Sequence, residues 1–168
     1  MVRTAHPTTD AVAVNRCALH EVNTMATSDK AHTELVRRYL NAFNDRDHDT
    51  LAELLAADVV EHGIHDELHG VDEVIDFLEA HFETFPDYSG TTDAMVTEGD
   101  TVAVRYHVSG THADEYHDVE PTGHTVDWSG MAMYRVEDGR IAEIWLEEDR
   151  LGLLEQLEAV DPPAHLRI

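Results

Sequence analysis

Apolar residues recur at helical spacing in the first half of the chain and at alternating positions in the second, so the pattern divides a helical part from a strand part. Leu35, Val36, Tyr39, Leu40 and Phe43 form one face of a helix that Ser28 or Asp29 would cap and that runs to about Asn44. A second helix is predicted over 48–56, with Leu51, Leu54 and Leu55 inward. Ala57 to Gly63 reads as a short extended segment. Gly70 precedes a third helix carrying Val71, Val74, Ile75, Leu78 and Phe82, which Pro86 stops. From Tyr88 onward the pattern predicts strands over 88–98, 101–110, 124–136 and 140–148, with Glu137, Asp138 and Gly139 turning the last pair into a hairpin. After Asp149, Leu151, Leu153, Leu154 and Leu157 return to helical spacing. Helices first and antiparallel strands afterwards indicate an α+β fold: three N-terminal helices packed on a curved mixed sheet of four to six strands, then a short C-terminal helix.

Residues 1–28 show no sustained period and read as a flexible extension, with Met25 an alternative start. The folded domain is predicted over 29–160, with 161–168 as a tail. Charge changes the picture most. Thirty-five acidic against eleven basic residues give a formal net charge of −24, and Lys30 is the sole lysine. Phosphate backbones and anionic membranes are bound through Lys and Arg, so neither nucleic acid nor a membrane is an expected partner. A solvated acidic surface suits a high-salt cytoplasm, where salt screens self-repulsion, and a halophilic origin is the expectation. The single cysteine, Cys17, excludes an internal disulfide. No apolar run has the eighteen or so residues needed to span a bilayer, and the predicted location is cytoplasmic.

Candidate chemistry gathers where the last strand meets the last helix. An acid on a strand that curves around helices can sit at the bottom of an apolar pocket, where desolvation suits a carboxyl to proton transfer, and Asp149 is the candidate. The same residue also suits an N-cap of the last helix. His62, in Glu61-His62-Gly63, offers an imidazole to polarise a carbonyl or share a proton. Trp145 shares a side with Asp149 if the strand has no bulge, and would wall a pocket. By alternation Trp128, Ala132 and Tyr134 share one face and Met131, Met133 and Arg135 the other. Arg105 and His107 share a face one strand earlier. The expected ligand pocket comprises Trp145, Trp128, Arg105, His107 and Phe43. His62, His65 and His69, with Glu61 and Asp66, and the series His107, His112, His117 lack a recognised ligand spacing, so no metal site is expected.

The segment GMAMYRVEDGRIAEIWLEEDRLGLLEQLE at Gly130 to Glu158 resembles the SnoaL-like polyketide cyclases, within the nuclear transport factor two-like or ketosteroid-isomerase-like superfamily. ELVRRYLNAFNDRDHDTLAELL, ADVVEHG, GVDEVIDFLEAHFETFPDY, VTEGDTVAVRYHVSGTH and PTGHTVDWSGM extend the resemblance over roughly Lys30 to Val160. It implies a cone-shaped domain that pairs as a homodimer through the outer face of its sheet and binds a small hydrophobic molecule without a cofactor. It further implies an intramolecular aldol ring closure, with Asp149 as general acid/base and His62 at the pocket wall. Such cyclases tend to carry a second polar group, commonly histidine, near Ala132, where this chain has alanine. Two other readings stand beside this one: a noncatalytic ligand-binding or association domain, and an epoxide-hydrolase-like activity that would need Arg105 or Arg135 beside Asp149.

Overall fold

Between Asp10 and Asp45 the chain has neither proline nor glycine, and the computed structural model carries this stretch as one helix, α1 (Asp10–Asp45). The structure describes residues 10–63 and 66–161, with side chains from Thr27 onward; residues 1–9, 64–65 (His65 among them) and 162–168 lie outside it. The predicted cap at Ser28 or Asp29 is corrected: both lie inside α1, where Thr33 Oγ1 donates to the Asp29 carbonyl at 2.7 Å. Nothing interrupts the helical ladder at that point, so residues 10–28 of the segment read as an extension belong to the same helix.

Asp47 caps α2 (His48–Leu54), accepting the Thr50 amide at 3.0 Å and its hydroxyl at 2.6 Å. Leu55 leaves the helix and begins β1 (Leu55–His62), so the extended segment is a full strand. The two-residue β2 (Leu68–His69) leads into α3 (Gly70–Thr84), and Gly70 takes φ +80° at that corner. Then follow β3 (Ser89–Glu98), β4 (Thr101–Thr111), β5 (Thr125–Glu137), β6 (Arg140–Glu148) and α4 (Arg150–Gln156). The sheet order is β2-β1-β6-β5-β4-β3; β1 runs parallel to β6 and the other pairs are antiparallel. This is the α+β arrangement of helices on a mixed sheet.

One face of the sheet is buried at every second position. Val102, Val104 and Val108 on β4 and Val126, Trp128, Ala132, Tyr134 and Val136 on β5 point inward. Val36 and Tyr39 of α1, Leu51 of α2 and Val74, Leu78 and Phe82 of α3 cover them. Each large apolar side chain removed from water there contributes about 1.5–3 kcal/mol. On the outer face Met131 and Met133 remain 56% and 45% exposed. Ion pairs flank them: Asp93 with Arg105 and His107, and Glu143 with Arg135 and His62.

Candidate active site

Pleating places β6 residues Ile144, Leu146 and Glu148 on the covered face. With the helices above, they line a cavity that opens to solvent at its mouth; about 770 Å³ is free of atoms there when the open mouth is counted. Phe43 of α1 and Phe77 of α3 form apolar wall, while Tyr39, Tyr88, Tyr106 and Tyr134 bring hydroxyls. Two carboxylates line the cavity as well, Glu61 from β1 and Glu148 from the end of β6.

Glu148 is held by cross-strand register. Tyr106 stands opposite Gly130, and Gly130 opposite Glu148, so the three form one row across β4, β5 and β6. Because Gly130 has no side chain, the Tyr106 hydroxyl crosses above it and donates to Glu148 Oε1 at 3.0 Å. A Cβ at position 130 would fall 2.5 Å from Tyr106 Cζ, closer than atoms pack. Burial pushes the Glu148 carboxyl above the ordinary carboxylate range; the Trp128 indole and the Tyr106 hydroxyl favour its charge and oppose that shift. The Trp128 N–H lies near enough to act on Glu148 without completing a hydrogen bond to any described group. Tyr106 is itself raised, by burial first and by the Glu148 charge second.

His81 enters the cavity from α3 among aromatic rings, with centroids 5.2 Å from Tyr88 and 5.5 Å from Phe85. Burial, with Arg150's charge adding to it, lowers its pKa from 6.5 to about 4, so the imidazole is neutral near pH 7. It can accept or donate a hydrogen bond there without carrying charge.

The residues read from the sequence separate. Phe43 lines the cavity. Trp128 is 3% exposed and packs beneath it, against Phe85 and Tyr88. His62 lies on the other side of the sheet, bonded to Glu67 and Glu143 at 2.8 and 2.9 Å, with Trp145 stacked on its ring. Arg105 and His107 are exposed and share Asp93. Arg135 is engaged by Glu143 and Glu137, so neither arginine of the hydrolase reading lines the cavity. Asp149 is exposed just past the strand and caps α4, accepting the Gly152 amide at 2.9 Å. It is absent from the cavity lining, whereas its neighbour Glu148 is present. His62 and Glu61 divide in the same way.

Sequence reasoning missed Glu61, Glu148 and His81. Strand parity carried the signal for the acids: Val59 and Ile144 are inward, which puts Glu61 and Glu148 inward two and four positions on. His81 follows Leu78 by three positions on the buried stripe of α3. Among the described residues no group of three His, Cys, Asp or Glu side chains is placed to hold a metal, and no helix is long and apolar enough to cross a membrane.

A family model described as SnoaL-like polyketide cyclase matches residues 33–157. No curated protein sequence matches the chain. Among solved structures, IdmH from Streptomyces antibioticus, named as a candidate polyketide cyclase, is 32% identical with a TM-score of 0.66, over 76% of this chain and 98% of that one. AclR from Streptomyces galilaeus, named as a candidate hydroxylase, is 26% identical with a TM-score of 0.72, over 80% of this chain and all of that one. A candidate SnoaL-like polyketide cyclase from Jannaschia sp. CCS1, at 22% identity and TM-score 0.74 over 80% and 96%, shares the fold.

Proposed function

Because the chain belongs to the SnoaL-like polyketide cyclase family, we propose that it catalyses a cyclase- or isomerase-type proton transfer on a small hydrophobic, carbonyl-bearing molecule held in the cavity. The acid/base is the carboxyl at the end of β6 that faces the cavity, Glu148, while Asp149 beside it caps α4. The observation that carries this reading is the row Tyr106, Gly130, Glu148, which sets a carboxyl in an apolar enclosure with a hydroxyl donating to it. Desolvation favours the protonated form and the Tyr106 hydrogen bond favours the ionised one, so the group has access to both forms and can give or take a proton. The substrate's own carbonyl holds the electron pair left when the neighbouring C–H bond breaks, and the protein supplies shape and a proton carrier. No cofactor takes part in this reading.

The test is hydrogen–deuterium exchange at the carbon beside the carbonyl of 2-tetralone, followed by NMR in D2O. Glu148→Gln is expected to slow protein-catalysed exchange by about 100-fold or more, the usual scale of one general acid/base group. Asp149→Asn is expected to keep the exchange and to leave stability within about 0.5 kcal/mol, since an asparagine oxygen caps a helix about as well as an aspartate one. The reverse pattern would return the role to Asp149. Tetralone binding with no exchange in any form would support the noncatalytic reading instead.

The same proposal includes a homodimer formed through the outer face of the sheet, where exposed Met131 and Met133 lie between the two ion-paired clusters. The cytoplasm is the setting this reading assumes.

A further inference from the structure

Three rows cross the cavity floor. In the first, Glu61 stands opposite Ile144, and Ile144 opposite Tyr134. In the second, Leu146 stands opposite Ala132. The third is Glu148, Gly130 and Tyr106. A glutamate–tyrosine row therefore lies on each side of a small apolar row, and the first and third are separated by roughly 13 Å of strand at about 3.3 Å per residue. Side chains from both rows lean into the one cavity. Glu61 is only 4% exposed, and its charge reaches Tyr39, Tyr134 and, across the cavity, Glu148.

We propose that Glu61 is a second proton-transfer group of this cavity, acting on the same substrate as Glu148 from its opposite side. The inference rests on the reading of Glu148 above. In the step, the C–H bond beside the substrate carbonyl breaks and its proton passes to the Glu61 carboxylate. The C–H electron pair becomes the C=C bond of an enol, and the carbonyl π pair moves onto oxygen, which takes the proton of the Glu148 carboxylic acid. Glu61 ends protonated and Glu148 ionised. The reverse transfers restore both, and in D2O they leave deuterium on the carbon once Glu61 has exchanged its proton with solvent. Burial holds the Glu148 carboxyl above the ordinary range, which suits it to the acid's part.

The experiment uses 2-tetralone with the full chain and three variants. Glu61→Gln is expected to slow exchange by about 100-fold or more. Tetralone binding, read by tryptophan fluorescence, should change less than twofold in this variant. Glu61→Asp keeps the charge one methylene farther from the substrate and should fall between Glu61→Gln and the unmodified protein. Exchange at the unmodified rate in Glu61→Gln, with Glu148→Gln inactive, overturns the proposal and leaves the role of Glu148 standing. If tetralone binds and the unmodified protein does not accelerate exchange, both readings fall together.

Discussion

At Gly130 a side chain is missing where a hydroxyl has to pass, and the proposed chemistry depends on that omission. Gly130→Ala places a carbon against the Tyr106 ring and near the Glu147 carbonyl at 2.9 Å, so either the tyrosine turns away or the strand shifts. The expected outcome is a loss of about 1–3 kcal/mol in chemical denaturation. Exchange of 2-tetralone should fall as well, because Glu148 loses the hydroxyl that steadies its charge. Parity was legible at this scale: Trp128, Ala132 and Tyr134 inward, Met131, Met133 and Arg135 outward, as alternation implies. Its limits were legible only in the structure. Counting from Trp145 to Asp149 assumes a strand throughout, but β6 ends at Glu148, and Asp149 takes cap dihedrals of φ −74° and ψ 72°. Trp145 is also outward rather than inward, so that count started on the wrong face. A one-residue slip in a period-two element exchanges the two faces, and both acids in the cavity sit beside the residues that the motifs single out.

Among the elements, α2, α3 and the four long strands were readable because each repeats its period several times. β2, with two residues, has no period to read, and α1 extends beyond the predicted start because no breaker ends it. Part of the aromatic setting of α3 was beyond reach too: Phe85 is local, four residues after His81, but Trp128 meets His81 only when β5 packs under the helix. That setting has a measurable consequence. His81 titrates at about 4 in the folded chain against 6.5 when unperturbed, so the unfolded chain binds more protons between those values. Stability is therefore expected to fall as pH drops from 6.5 toward 4, by at most about 3 kcal/mol from this group and less where cavity water screens the ring. His112 and His117 are lowered as well, by burial first, and act in the same direction. Melting His81→Leu beside the unmodified protein across that window separates the contributions. The variant should lose less on acidification, and equal losses would assign the effect to the other two.

The chain as a whole carries a formal charge of −24, so any pairing of two copies brings like charges together. The outer face meets this with methionines at its centre and mutually neutralising pairs around them. In molar KCl, sedimentation is expected to give twice the chain mass of 18.9 kDa, and Met131→Glu with Met133→Glu to give the single mass. A single mass for the unmodified protein would remove the proposed dimer. The helix-then-strand order conveyed the fold class, but the position of β1 beside β6 could not be read locally, because that pairing joins residues more than eighty positions apart, such as Glu61 and Ile144. The same pairing governs assembly during synthesis. Glu61 emerges early and Glu148 near the end of the domain, so no partial product of translation holds both acids in one enclosure. The cavity comes into being only with the final long-range closure, a slow kind of step that leaves sheet edges open until it is complete.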